Sequence, residues 1–148
     1  MFKKILYPID LSEISVAVMS KVLSIAEKYD SEIHVIYVAR DMTYFAELDV
    51  PHPSIYSFSQ DVKKGAEQKM KAFCEKNMLF QGASCEVLIG DPSTEIVNYV
   101  EDHDIDLVVM ATQGRKGLNR LVFGSVAARV VRNCPVPVLT IKPTPKEE

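Results

Sequence analysis

Short apolar runs alternate along the chain with longer segments in which apolar residues recur at helical spacing. The apolar runs, rich in β-branched and aromatic residues, predict five strands, at 4–9, 33–38, 85–90, 105–111 and 136–141. The helical spacing predicts helices over 12–29, 58–78 and 125–133, and a further helix from Pro92 with Asp91 as its cap. Because strands alternate with helices, we expect an α/β fold with one doubly wound, five-stranded parallel sheet and helices on both faces.

Three segments add detail to this pattern. Residues 40–57 show no clean period and contain two prolines, so they predict a long loop. The run 105–111 is almost continuously apolar, which is typical of a strand buried on both faces. Pro137 falls within the last predicted strand, and a proline cannot donate to a strand ladder, so we expect this strand at an edge of the sheet.

The composition narrows the class of protein. A chain of 148 residues with 47% hydrophobic and 25% charged residues predicts one ordinary globular domain, 1–148, with no membrane-spanning segment and no signal peptide. The three cysteines, an odd number without C-x-x-C spacing, predict reduced thiols and a cytoplasmic location. A net charge of −3 without a long basic run argues against a nucleic-acid partner. The histidines do not share metal-ligand spacing, so we expect no dedicated metal site.

The chemistry most clearly indicated is anion binding at a helix start. The segment GRKGLNRLVFGS, residues 114–125, follows a predicted strand and ends in Gly124-Ser125 where a helix begins. The first N–H groups of a helix lack internal partners and the helix dipole adds positive charge, so such a position can hold a phosphate. The alternative is that Gly124-Ser125 is a helix cap and nothing more. The spacing is neither a Walker loop nor a G-x-G-x-x-G fingerprint.

The stretches KKILYPIDLSE at the start and GDPSTEIVNYVEDHDIDLVVMATQGRKGLNRLVFGSVAARVVRNCPVPVLTIK near the end resemble the universal stress protein family, a Rossmann-like fold of the adenine nucleotide alpha hydrolase type. Nucleotide-binding members of that family carry glycine, two residues, glycine, nine residues, glycine, then serine or threonine. The same spacing runs here from position 111 to Ser125, but Ala111 replaces the first glycine. If that position needs a left-handed backbone, alanine costs ~1–2 kcal/mol; if it needs only a small residue, binding survives.

The resemblance implies a role for each matching residue. Pro8 and Ile9 would lie beside the base, Asp10 would lie near the ribose and adenine, and Val38 would offer backbone groups to the adenine edge. Met110 and Ala111 would flank the ribose. The phosphates would be held by five residues, Gly114, Gly124, Ser125, Val126 and Ala127, with Arg115 as an additional contact. Mg²⁺ would arrive with a triphosphate. Asp10 also has a plainer interpretation, as a turn residue at a helix entry.

The function implied by the resemblance is that of an ATP-binding regulator in a stress response, with AMP or ADP as other ligands, which forms a homodimer through the edge strand 136–141 and has no catalytic residue. One alternative is a slow ATPase or adenylyl-transferring relative, with Asp41, Glu47, Asp49 or His52 supplied by the loop. The other is an interaction module without a nucleotide, in which Ala111 marks a lost site.

Overall fold

The computed structural model describes residues 1–40, 52–113 and 123–143, with residues 52–56 described by their backbone alone. The strands are β1 (Lys4–Ile9), β2 (Glu32–Arg40), β3 (Ser84–Gly90), β4 (Leu107–Ala111) and β5 (Val138–Ile141). The helices are α1 (Glu13–Tyr29), α2 (His52–Lys76), α3 (Pro92–Asp102) and α4 (Ser125–Asn133), with a short 3-10 turn at Met78–Phe80. Strands and helices alternate, as the sequence predicts.

The five strands form one parallel sheet in the order β3-β2-β1-β4-β5. The chain winds outward from β1 through β2 to β3, then returns to the other side of β1 and winds through β4 to β5. The predicted doubly wound sheet is therefore confirmed. The winding reverses between β1 and β4, and in open α/β sheets ligands bind at such a point, beyond the carboxyl ends of the strands.

The core consists of two layers, one on each face of the sheet. Helices α1 and α2 cover one face, with side chains such as Met19, Val22 and Met70 packed on the strands. Helices α3 and α4 cover the other face, with Ile96 and Val130 among the packed side chains. Fully burying an aliphatic side chain of this size stabilises a fold by about 1.5–3 kcal/mol, so the two layers hold the strand ends in fixed relative positions.

The interior strand β4, between β1 and β5, is buried on both faces, as predicted. Its residues from Leu107 to Met110 are each at most 6% exposed, and they contribute alternately to the two core layers. The last strand pairs with β4 alone and lies at the sheet edge, which is also confirmed. However, β5 begins at Val138, so Pro137 precedes the strand instead of lying within it. The Pro137 carbonyl still accepts a hydrogen bond of 3.0 Å from the Val108 N–H.

Several local predictions are wrong. Helix α2 begins at His52, six residues before the predicted start, because a proline is tolerated in the first helical turn, where its missing N–H would have no partner. The helical spacing over 125–133 predicts that Val130 and Val131 both face inward, but only Val130 is buried and Val131 is 47% exposed. The predicted strand at 85–90 places Cys85 in the core, but Cys85 is exposed. Among the described residues, no helix is long and apolar enough to cross a bilayer.

Candidate functional site

The chain winding reverses between β1 and β4, and we call the region at the carboxyl ends of these two strands the crevice. The Lys4 carbonyl accepts a 2.9 Å hydrogen bond from the Asp106 N–H, so the backbone groups of even-numbered β1 residues point toward β4. Pro8 is on this side and has no N–H to donate. The last pair between β1 and β4 is Leu6 with Val108, and Leu6 is two residues before Pro8. The strand ladder between β1 and β4 therefore ends before Pro8 and Ile9.

Beside this crevice, β2 continues past the end of β1. The last β1–β2 pair is Ile9 with Tyr37, whereas β2 stays paired with β3 through Arg40. The Glu32 N–H donates to the Lys3 carbonyl at 2.8 Å, so backbone groups of even-numbered β2 residues point toward β1. Val38 therefore presents its backbone toward the side on which β1 has ended. Its side chain is buried, so the backbone is the part of Val38 that can meet a ligand.

Asp10 follows β1 directly and stands level with Val38 in the continued register. Its Oδ1 accepts hydrogen bonds from the Ser12 N–H at 3.0 Å, from the Ser12 hydroxyl, and from the Ser15 hydroxyl at 2.8 Å. Leu11 between them has a left-handed backbone, with φ of 60°, which costs a residue other than glycine about 1–2 kcal/mol. The strained turn and the three hydrogen bonds hold the carboxylate of Asp10 in one orientation at the start of α1.

Ser15 is a residue that the sequence analysis missed. It is 3% exposed and lies in the first turn of α1, and its hydroxyl also accepts a 3.2 Å hydrogen bond from the Asp10 N–H. The Ser15 carbonyl accepts a 2.7 Å hydrogen bond from the hydroxyl of buried Tyr7. Burial, and next the nearby charge of Asp10, raise the pKa of Tyr7 far above its ordinary value, so this hydroxyl remains a donor. The only sequence signal was a serine on the inward face of α1, five residues after Asp10.

The ends of the glycine-rich segment meet at the carboxyl end of β4. The Gly124 N–H donates to the Thr112 carbonyl at 2.7 Å, and a Cβ at position 124 would stand 3.2 Å from that oxygen. Gly124 is the N-cap of α4, with no side-chain capping bond, and Ser125 is the first helical residue. The expectation that Ser125 could cap the helix is therefore wrong. The N–H groups of Ser125, Val126 and Ala127 belong to the open first turn.

The start of α3 provides a contrast within the same molecule. There the Asp91 carboxylate accepts hydrogen bonds from the Ser93 hydroxyl at 2.6 Å and from the Thr94 N–H and hydroxyl at 3.1 and 3.0 Å. The Ser93 bond contributes most, and together these bonds lower the pKa of Asp91, which stays charged at neutral pH. An anionic side chain thus occupies the start of α3, whereas no side chain of residues 1–40, 57–113 or 123–143 caps the start of α4.

Ala111 and Met110 end β4 beside the crevice. Ala111 pairs with Ile141 of β5 and is not among the residues with positive φ. Its backbone is that of a regular strand, so replacing glycine with alanine adds a methyl group but no left-handed strain. Met110 is buried in the core layer of α3 and α4. Gly114 and Arg115 lie outside the described residues.

The other candidate residues add nothing to the described part of this crevice. Asp41, Glu47 and Asp49 lie outside the described residues, as does the side chain of His52. His34 is buried near the amino end of the sheet, with its Nδ1 3.0 Å from the Tyr99 hydroxyl, which agrees with a structural role. No group of three or more His, Cys, Asp or Glu side chains suited to a metal ion occurs in the described ranges.

Comparison with known proteins shows which family this chain belongs to. Residues 1–142 match the sequence profile of the universal stress protein family. Universal stress protein MJ0531 of Methanocaldococcus jannaschii is 35% identical over 99% of this chain and 86% of its own length. The solved structure of MJ0577, from the same organism, covers 99% of both chains with a TM-score of 0.79 and 24% identity. That of a universal stress protein in complex with cAMP covers 97% of this chain and 98% of its own, with a TM-score of 0.58 and 18% identity. Because the profile spans nearly the whole chain and a relative exceeds 30% identity, the chain belongs to the universal stress protein family.

Proposed function

We propose that this protein binds an adenine nucleotide, ATP with Mg²⁺ or else ADP or AMP, in the crevice between β1 and β4. The observation that carries the proposal is the start of α4. Within the part of the chain that the structure describes, no side chain caps it; it begins at a glycine, and it is the element after β4, the strand that borders the crevice. A helix end of this kind attracts a phosphate through open N–H groups and about half a positive charge from the dipole. The universal stress protein bound to cAMP supports the class of ligand.

In this proposal the phosphates lie on the first turn of α4. The N–H groups of Ser125, Val126 and Ala127 donate to them, and the Ser125 side chain, which is exposed, adds a hydroxyl donor. Gly124 allows the close approach because it has no side chain. Gly114 and Arg115 complete the phosphate site in the family pattern. Because the helix end offers only partial charge, a triphosphate needs Mg²⁺, which the nucleotide carries on its own oxygens.

The nucleoside lies on the other side of the crevice. Val38 directs its backbone to the place where β1 has ended, and this backbone hydrogen-bonds the edge of the adenine. Pro8 and Ile9 contact the base. The Asp10 carboxylate, which Ser12 and Ser15 hold in place, accepts hydrogen bonds from the ribose side of the nucleoside. Met110 and Ala111 flank the ribose.

The protein acts as a homodimer of single domains spanning 1–148. Strand β5 pairs with β4 on one side only, and the backbone groups on its other side suit pairing with a second copy of the strand. Large apolar side chains are exposed in β5, in α4 and two residues before α4: Leu139 at 41%, Val131 at 47% and Phe123 at 44%. The segment 136–141 is the proposed contact.

The nucleotide then acts as a regulatory ligand in the cytoplasm, where thiols are ordinarily reduced. Binding at a site assembled from β1, β2, β4 and α4 favours one arrangement of these elements, and α4 leads directly into the proposed dimer strand. The proposal assigns a stress-response role through this coupling and does not require catalytic turnover.

Thermal unfolding with and without nucleotide tests the proposal. ATP with Mg²⁺ at about 100 times its dissociation constant should stabilise the protein by ~2.7 kcal/mol, whereas GTP at the same concentration should give a much smaller shift. Mass spectrometry of the supernatant after denaturation should identify any adenine nucleotide that co-purifies. No shift with ATP, ADP or AMP, with no nucleotide released, would contradict the proposal.

A matched pair of variants tests the Asp10 part of the site. Ser15→Ala removes the hydroxyl that hydrogen-bonds Asp10 and should weaken ATP binding about 10-fold, since freeing a charged hydrogen-bonded group costs ~1.5 kcal/mol. Ser20→Ala is the control, because the Ser20 hydroxyl is on the exposed side of α1 and donates to the Ala17 carbonyl, away from Asp10. Equal affinities for both variants would remove Asp10 from the proposed site.

A further inference from the structure

Two of the three cysteines lie side by side at the sheet edge opposite to β5. Cys74 is near the end of α2 and Cys85 is in edge strand β3, and their Sγ atoms are 3.1 Å apart. Cys85 shares the α2-facing side of β3 with buried Val87. A disulfide needs an S–S distance of about 2.05 Å, so the two sulfurs must approach by roughly 1 Å to form a bond.

The two thiols differ in their access to solvent. Cys85 is exposed, whereas Cys74 is half-buried. Burial, together with the hydrogen bond to Cys85, raises the pKa of Cys74 to about 12. Both thiols line a hollow of about 430 Å³ between α2 and β3, so small molecules can reach them from solvent. An exposed thiol beside a second thiol is the usual arrangement of a redox-sensitive cysteine and its resolving partner.

We propose that Cys74 and Cys85 form a reversible intramolecular disulfide when the protein meets a peroxide. The exposed Cys85 sulfur attacks one peroxide oxygen, the O–O bond breaks, and Cys85 becomes a sulfenic acid. The other peroxide oxygen takes up the Cys85 thiol proton and leaves as water or an alcohol. The Cys74 sulfur then attacks the sulfenic sulfur, the hydroxyl group leaves, and with the Cys74 proton it forms a second water. Two thiols are oxidised to one disulfide and one peroxide is reduced; a small thiol or dithiol reverses the step by exchange.

The bond would fasten the end of α2 to the edge of the sheet. The two residues are separated by a turn that contains the 3-10 helix Met78–Phe80, and α2 otherwise rests on β3 through side-chain packing such as that of Met70. A covalent link there restricts the unfolded chain, so the oxidised protein should unfold at a higher temperature than the reduced one. This property is independent of the nucleotide site, which lies at β1, β4 and α4.

The experiment uses the full-length protein treated with hydrogen peroxide, then with N-ethylmaleimide to label the remaining thiols. Trypsin cleaves after Lys71, Lys76 and Arg132, so the three cysteines fall on three separate peptides. Before labelling, the intact-chain mass should be lower by about 2 Da for the two lost hydrogens. After labelling and digestion, we expect the peptide with Cys74 linked to the peptide with Cys85, and label on Cys134 alone. Dithiothreitol should restore labelling of all three.

Cysteine-to-serine variants show which thiols form the disulfide. Cys134→Ser should form the same linked peptide as the wild type, and Cys74→Ser should leave Cys85 as an isolated oxidised or labelled residue with no rise in melting temperature on oxidation. Three outcomes with the wild type would overturn the proposal: unchanged labelling of Cys74 and Cys85, oxidation of Cys85 to sulfinic acid while Cys74 still takes label, or a disulfide between two chains.

Discussion

The N–H of Gly124 donates a hydrogen bond of 2.7 Å to the carbonyl of Thr112, which fastens the start of α4 to the end of β4. A side chain at position 124 would press on the same carbonyl, at 3.2 Å from its Cβ. Gly124 therefore joins the start of α4 to the end of β4, and it adds no side chain over the first turn of the helix. Ser125, Val126 and Ala127 owe their place beside the crevice to this closure.

Replacing Gly124 with alanine tests the closure. The added Cβ must move the Thr112 carbonyl by a few tenths of an ångström, which shifts the first turn of α4 relative to β4. We expect ATP affinity to fall about 10-fold, equivalent to ~1.4 kcal/mol, as measured by titration calorimetry. The protein should still fold, since the backbone at Gly124 has φ of −60° and ψ of 150°, which alanine adopts freely.

Gly65→Ala is the matched control. Gly65 lies within α2, and a Cβ there meets nothing within 4 Å. Alanine in a helix interior should raise the free energy of unfolding by ~0.5–1 kcal/mol and leave ATP affinity unchanged. If both alanine variants bind ATP as the wild type does, the close approach at Gly124 is irrelevant to binding.

The alanine at position 111 should be a mild departure from the family spacing. Since Ala111 lies in a regular strand, Ala111→Gly relieves no left-handed strain, and we expect ATP affinity to change less than about 3-fold, under ~0.7 kcal/mol. The measurement is calorimetric titration of the two proteins side by side. A gain of tenfold or more would mean that the alanine methyl obstructs the ribose, and Ala111 would then mark an impaired site.

The cap of α3 should contribute a pH-dependent part of the stability. Asp91→Ala removes the side-chain acceptor for the Thr94 N–H and should lower the free energy of unfolding by ~1 kcal/mol at neutral pH. The hydrogen bonds lower the pKa of folded Asp91 below its unfolded value of about 3.9, so this stabilisation is present above that pH and is lost as pH falls through the folded pKa.

Urea unfolding between about pH 6 and pH 3 measures this effect, and the gap between wild type and Asp91→Ala should narrow toward the acid end. Asp91→Ser is the control, because serine caps a helix without carrying a charge. The gap between the serine and alanine variants should stay constant over the same range. A constant gap for wild type as well would show that the charge of Asp91 contributes nothing.

The edge strand gives a prediction about assembly. Leu139→Lys places a charge on an exposed apolar position of β5 and should weaken the proposed homodimer about 100-fold, or ~2.7 kcal/mol, by analytical ultracentrifugation. Met78→Lys is the control, because Met78 is 69% exposed and lies between α2 and β3, toward the opposite edge. A dimer that survives in the leucine variant and dissociates in the methionine variant would move the contact away from β5.

Much of the fold followed from local patterns. The apolar run at 105–111 identified the interior strand β4 because burial on both faces leaves no polar alternation. Asp91-Pro92 identified the start of α3 because the cap and the proline act locally. The early start of α2 was hidden by Pro53, since a proline is compatible both with a loop and with a first helical turn. The exposure of Cys85 was equally hidden, because β3 proves to be an edge strand and only the sheet order reveals it.

The candidate site was less accessible to prediction because it depends on contacts between distant segments. The role of Pro8 beside the crevice depends on which side of β1 faces β4, and the closure by Gly124 depends on the Thr112 carbonyl. Ser15 had no motif to mark it. The glycine spacing in the sequence identified residues 114–125 as a candidate phosphate-binding segment. The physical reason for their position came only from the register of the sheet.

Titration calorimetry of the purified protein with ATP and Mg²⁺ tests the central claim most directly. The account predicts saturable binding of one ATP per chain, with binding weakened in the Gly124→Ala variant and retained in Gly65→Ala. Absence of saturable heat for the wild type at millimolar ATP, with ADP and AMP equally silent, would contradict the account and leave the open start of α4 as a structural feature alone.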